Sequence, residues 1–174
     1  MTIGMFAVGW PTRYPHREQS HRGGGQVQTT ALAARGLVYT ASRKASVVAL
    51  DSQTGRKVWE YDYGRNLWVE SSPQLARDVI FIGGSGNQYV LGLDRQTGEL
   101  LTRYLDFLFF WSTPLIQDDT LYIGATAFTP TSGIGGLQAL AIPSGLSAQN
   151  HPPMVRNAVL PVPGALRPDG ARDG

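Results

Sequence analysis

Cysteine is absent from this 174-residue chain, which removes disulfide staples, thiolate metal sites and cysteine nucleophiles together. That absence assigns no compartment, because many extracytoplasmic proteins also lack the residue. Histidine is scarce: the three present, His16, His21 and His151, lie toward the chain ends without the local spacing of a zinc site. Excess charge of one sign is also missing. Fifteen Lys and Arg against 13 Asp and Glu leave a net charge of +2, too little for a basic tract that neutralises a row of phosphates, so nucleic acid is not expected as a partner. No apolar run approaches the ~18–20 residues that cross a bilayer as a helix. The longest, Phe107 to Trp111, is the size of a strand, and no membrane span is expected. The opening Met1 to Trp10 is apolar but short. It has no Lys or Arg ahead of it and runs into Pro, Arg and His instead of a small-residue cleavage site, so it reads as neither signal peptide nor anchor.

What the chain does contain is a repeat. Val27 recurs as Val69, Val38 as Ile80 and Tyr39 as Phe81, each 42 residues apart, and Phe110, Leu121 and Tyr122 follow after a further 41. Within each unit, short apolar runs alternate at period two and are split by Gly, Ser and Asp, the pattern of short antiparallel strands joined by tight turns. A period in this range, with four strands per unit, predicts an all-β chain of propeller blades. The expected blades lie near 27–63, 68–106 and 110–146. In the first, strands are expected at Val27 to Leu32, Leu37 to Ser42, Ser46 to Asp51 and Lys57 to Asp62; the second begins with Trp68 to Gln74. The third blade shows no recognisable fourth strand and is expected to be incomplete. Residues 1–26 offer no periodic apolar face and read as an irregular lead-in, while the Pro- and Gly-rich stretch 147–174 reads as a disordered tail.

One segment of the first unit carries more than periodicity. Ala49, Asp51, Thr54, Gly55 and Trp59 stand in the order A-x-D-x-x-T-G-x-x-x-W. An acid at a strand end accepts backbone N–H bonds from residues two or three further on, and Gly then supplies a positive φ. The second unit keeps Asp94, Thr97 and Gly98 but has Thr102 in the Trp position; the third keeps only Gly145, with Ala141 in place of the acid. A second element, an apolar strand running into Ser-Ser-Pro, appears as Val69 to Pro73 and Phe110 to Pro114, with Val27 to Ala31 as a weaker copy. These two phased motifs resemble the tryptophan-docking repeats of pyrroloquinoline-quinone-type (PQQ-like) β-propellers over roughly residues 27–145. The resemblance implies a partial propeller of about three four-stranded antiparallel blades. It also implies an indole at Trp59 that packs on the neighbouring blade as a structural device.

Complete propellers of that family have seven or eight blades, so the ring does not close within these residues. A longer propeller of which this is a fragment, several copies of this chain, or another subunit would supply the rest. The resemblance favours a non-catalytic protein-interaction or scaffolding module, similar to the propellers of outer-membrane barrel-assembly lipoproteins, in an extracytoplasmic or periplasmic setting. The alternative is a fragment of a PQQ-dependent quinoprotein oxidoreductase whose cofactor-binding blades lie elsewhere. PQQ and calcium are expected only under that alternative. No catalytic, cofactor or metal residue is assigned: the acids fall mostly at turns, and Ser71, Ser72 and Ser112 lack a nucleophile elbow or a His partner. Trp68 and Trp111, near the starts of successive units, are the candidates for a binding surface at one face of the arc.

Overall fold

A computed structural model describes residues 27, 29–42, 46–63, 69–84, 88–106, 108–127, 135–147, 149–150, 152 and 154–160. Twelve strands and no helix occur among them, in three four-stranded antiparallel sheets whose strands neighbour one another in chain order. The first sheet holds β1 (Leu32–Ala34), β2 (Leu37–Ser42), β3 (Ser46–Asp51) and β4 (Lys57–Asp62). The second holds β5 (Gln74–Ala76), β6 (Val79–Gly84), β7 (Tyr89–Asp94) and β8 (Leu100–Leu105). The third holds β9 (Leu115–Gln117), β10 (Thr120–Thr126), β11 (Gly135–Ala141) and β12 (Val155–Leu160). In all three sheets the register between the third and fourth strands shifts at the same place, after Ala49, Gly92 and Ala139.

The sheets stack face to face, and alternation along the strands shows how. In β6 every residue is buried. Ile80 and Ile82, with Leu91 and Leu93 of β7, pack with Tyr39, Ala41, Val47, Ala49 and Trp59 of the first blade. Val79 and Phe81 face the other way and join Leu121, Ile123 and Leu140 of the third blade. The second blade is therefore covered on both faces, which accounts for its unbroken apolar run Val79 to Ile82. At Gly83 the approach is too close for a side chain. A Cβ there would lie 2.9 Å from the Phe110 carbonyl oxygen and 2.9 Å from Ile123 Cδ1.

Two expected boundaries shift. The first strand of each blade is only three residues long and begins later than periodicity suggests, at Leu32, Gln74 and Leu115. Hydroxyls hold the preceding residues. Thr29, Ser71 and Ser112 each accept the amide of the residue twelve positions on: Ala41 N at 3.2 Å, Gly83 N at 3.0 Å and Gly124 N at 2.8 Å. The next residue in each copy laces one blade to the next, with Thr30 N donating to Ser72 Oγ at 2.8 Å and Ser72 N donating to Thr113 Oγ1 at 3.3 Å. The Ser-Ser-Pro element is thus a fastening, its first hydroxyl turned to its own blade and its second toward the preceding one. Replacing Ser71 by Ala leaves the Gly83 amide buried without this acceptor. Urea titration should show a loss of about 1–3 kcal/mol, and a smaller one for Ser112→Ala, whose site is exposed.

The second shift concerns the third blade. Its fourth strand is β12, which pairs with β11 from Leu137↔Leu160 to Ala141↔Val155 and comes from the stretch read as a disordered tail. Pairing along the open edge of β11 orders a segment whose own composition gives little reason to fold. The partial arc stands, with its last blade carrying four strands. The lead-in 1–26 and residues 161–174 lie outside the described residues.

Candidate functional site

The junction between the first two blades is built around the tight turn that follows the third strand of each. In the first blade, Asp51 Oδ1 accepts the amides of Gln53 and Thr54 at 3.2 and 2.7 Å and the Thr54 hydroxyl at 2.7 Å. In the second, Asp94 Oδ1 accepts Gln96 N and Thr97 N, both at 2.8 Å, and Thr97 Oγ1 at 3.1 Å. Gly55 and Gly98 close the two turns at φ +70° and +75°, the left-handed region that a side chain resists. Hydrogen bonds from the Thr54 hydroxyl and amide hold the Asp51 carboxyl below the usual carboxylate range. A depressed folded-state pKa adds stability above the unfolded value of about 3.9 and loses it as pH falls through the folded value. Melting temperature should therefore fall on acidification below about pH 4, and less steeply in Asp51→Asn.

Onto the second turn comes the indole of Trp59. Its Nε1 donates to the Arg95 carbonyl at 2.9 Å, and the Tyr39 hydroxyl reaches the same oxygen at 3.2 Å. The two rings lie 5.9 Å apart, tilted by 43°. A Cβ on Gly98 would stand 2.6 Å from Trp59 Cε3, so the absence of a side chain at that position is what lets the ring lie down. Burial raises the Tyr39 phenol pKa, partly offset by its contact with Arg95. Around this seat run exposed ion pairs with the same phase: Arg35 to Asp78 at 2.6 Å, and Arg77 to Asp119 one blade later. Arg95 Nε also meets Asp78, at 2.6 Å. Being exposed, these pairs orient the rim and weaken with salt.

The following junction is built differently. Gly145 keeps φ +69°, but Ala141 offers no carboxylate, and Thr102 stands where the indole would be. Buried Thr102 donates through Oγ1 to the Pro152 carbonyl at 2.7 Å, and Asn150 Nδ2 donates to the Gly145 carbonyl at 3.0 Å. Met154 is buried in the same core as Leu101 and Phe110. The long connection between β11 and β12 thus supplies contacts at the junction that lacks a tryptophan.

Of the residues singled out from sequence, Trp59 lies on the Asp94–Gly98 turn of the second blade and shares the core of that junction with Ala49; Asp51, Thr54 and Gly55 form the corresponding turn of the first blade, and Gly145 stands in that of the third. Trp111 is 38% exposed at the start of the third unit. Trp68 lies outside the described residues. Sequence reasoning missed Gln138, wholly buried in β11 at the position held by Leu91 in the second blade. Its Nε2 donates to Asp106 Oδ2 at 2.9 Å, which also accepts the Tyr104 hydroxyl at 2.9 Å. A lone amide at an apolar phase was the available signal.

Among the described residues, no group of three or more His, Cys, Asp or Glu side chains could hold a metal ion. Asp51 and Asp94 are taken by their own turns, Asp78 and Asp119 by arginines, and Asp106 by Tyr104 and Gln138. A calcium site needs convergent carboxylates, and these five are each engaged in contacts within or between the blades.

Residues 12–145 match the family described as outer membrane protein assembly factor BamB, which is built from PQQ-like repeats. The chain belongs to this family. The PQQ-like resemblance read from the two motifs is thereby borne out. No curated protein matches the chain. Among solved structures, it resembles the quinohemoprotein alcohol dehydrogenase of Comamonas testosteroni at 20% identity and TM-score 0.59, covering 68% of this chain and 20% of that one. BamB from Moraxella catarrhalis aligns at 18% identity and TM-score 0.54, over 71% of this chain and 36% of that one. A europium-containing methanol dehydrogenase aligns at 20% identity and TM-score 0.58, over 76% and 26%. The BamB-family chain therefore spans between a fifth and about a third of these proteins. At such identities the likeness establishes the propeller fold alone.

Proposed function

We propose that the chain is a non-catalytic protein-interaction module, a three-blade segment of a PQQ-like propeller whose remaining blades lie outside these residues. The observation that carries this reading is how the polar groups are used. The turn carboxylates, strand-lead hydroxyls and rim arginines serve junctions within and between blades, and among the described residues no group of three or more His, Cys, Asp or Glu converges as a metal site. The family match to an outer membrane protein assembly factor supports the same direction, and with it an extracytoplasmic location.

A second reading, a piece of a quinoprotein oxidoreductase, takes its support from the likeness to two dehydrogenases. Titration with pyrroloquinoline quinone and calcium, followed by absorbance and thermal shift, separates the two. The interaction reading expects no saturable response. A one-to-one response at micromolar concentrations would overturn it.

A further inference from the structure

At the end of each blade junction away from the glycine turn, the fourth strand carries a tyrosine: Tyr61 opposite Val47 in the first blade and Tyr104 opposite Val90 in the second. At the second junction the phenol is answered within the protein, where Asp106 Oδ2 accepts both the Tyr104 hydroxyl and the Gln138 amide at 2.9 Å. The first junction has Tyr63 in the place of Asp106 and Leu91 in that of Gln138, so the built-in acceptor is gone. Donors stand there instead. Arg103 of β8 lays its guanidinium on Tyr89 of β7, with Cζ 4.9 Å from the ring centroid. Burial raises the Tyr61 phenol pKa and the neighbouring Arg103 charge lowers it, while Asp62, next in the strand, and Tyr89 raise it. Tyr61 also meets Tyr63 edge to face, at 5.7 Å between centroids. Arg103 is exposed, and Tyr61 and Tyr89 are half-buried. Among the described residues neither the Tyr61 nor the Tyr89 hydroxyl has a hydrogen-bond partner and Arg103 has no ion pair, whereas Arg35, Arg77 and Arg95 all have theirs. Leu105, paired with Tyr89 in the ladder, is 60% exposed.

We infer that Tyr61, Tyr89 and Arg103 form a carboxylate-binding site at the first blade junction, which takes an acidic side chain of a partner polypeptide. This rests on the protein-interaction reading and names the chemistry of the partner. Charge complementarity selects the occupant. Two phenol donors and a planar guanidinium stand together without an acceptor, and a carboxylate accepts from both kinds of donor, from arginine in bidentate fashion. Asp106 is that same group, built in, one blade along. A polypeptide source follows from the surroundings: the exposed Leu105 beside the cation suits an acidic residue with an apolar neighbour, and Tyr and Arg are the residues that anchor protein interfaces. Both blades that form the site lie within the described residues.

The test uses the whole chain, labelled with 15N in backbone and arginine side chains, and the capped peptide Leu-Glu-Leu, with Leu-Gln-Leu and inorganic phosphate as controls. Saturable shifts of the Arg103 Nε–H and of the Tyr61 and Tyr89 amides are expected with the glutamate peptide and absent with the glutamine peptide. Arg103→Gln should weaken binding by about tenfold at a nearly unchanged melting temperature. Tyr61→Phe, which removes only the hydroxyl, should weaken it by about threefold. Comparison of the two peptides on the unaltered protein decides the matter even if a variant folds poorly. Equal shifts from phosphate would mark a general anion site and overturn the carboxylate assignment. Shifts at the same residues that grow with protein concentration alone would assign the site to a second copy of the chain and overturn the external partner. No shift with Leu-Glu-Leu up to its solubility limit overturns the site, while leaving the interaction reading to the quinone titration.

Discussion

Trp59→Ala is expected to lower the free energy of unfolding by about 3–5 kcal/mol, which for a chain of this size is a large part of the whole. The ring is 8% exposed, packs against Tyr39 and lies over Gly98. Its removal opens a cavity between the first two blades. Urea unfolding followed by tyrosine circular dichroism would register the loss as a lower midpoint. Trp59→Phe should be milder: most of the buried area stays and the bond to the Arg95 carbonyl goes, a change of about 0.5–1.5 kcal/mol. The same oxygen still receives the Tyr39 hydroxyl.

Gly98→Ala is the second large effect. Two costs combine, since the residue holds φ +75° and its new methyl would stand 2.6 Å from Trp59 Cε3. A left-handed conformation costs an L-residue roughly 1–2 kcal/mol, and forcing one carbon into a packed site typically 1–3 kcal/mol. The expected destabilisation is therefore about 2–5 kcal/mol. Gly55→Ala, in the corresponding turn of the first blade at φ +70°, carries the same backbone cost without Trp59 above it. Comparing the two proteins by thermal melting separates conformational strain from steric contact.

The architecture was legible because the repeat repeats its chemistry as well as its hydrophobicity. Asp51 and Asp94, each followed by Thr and Gly, mark their turns unambiguously, and the alternation around Tyr39 and Phe81 marks the strands facing across the junctions. The strand starts were harder. Thr29, Ser71 and Ser112 sit in runs that alternate like a strand, yet their hydroxyls bind backbone amides from residues outside the short first strands. Periodicity reports which face a residue turns to, and not whether its backbone is paired in a ladder. Strand β12 was hidden for a different reason. Val155 to Leu160 lies among prolines and has only a weak apolar pattern, so its order comes from the edge of β11, a tertiary partner that no local window contains. Thr102 in the place of the indole was legible, but its bond to the Pro152 carbonyl was beyond reach, because the two residues are fifty positions apart. At the first junction, by contrast, the motif told nearly everything: the acid, the glycine and the indole all stand where their spacing puts them.

The central claim is that successive four-stranded sheets are joined by an indole from one lying on the glycine turn of the next. A double-mutant cycle between Trp59→Ala and Gly98→Ala measures that contact directly, across residues far apart in sequence. The account predicts that Gly98→Ala costs markedly less once the ring is gone, with a coupling energy of about 1 kcal/mol or more. Additive losses, agreeing within about 0.5 kcal/mol, would mean that the two residues do not touch, and the stacked-blade arrangement would be contradicted.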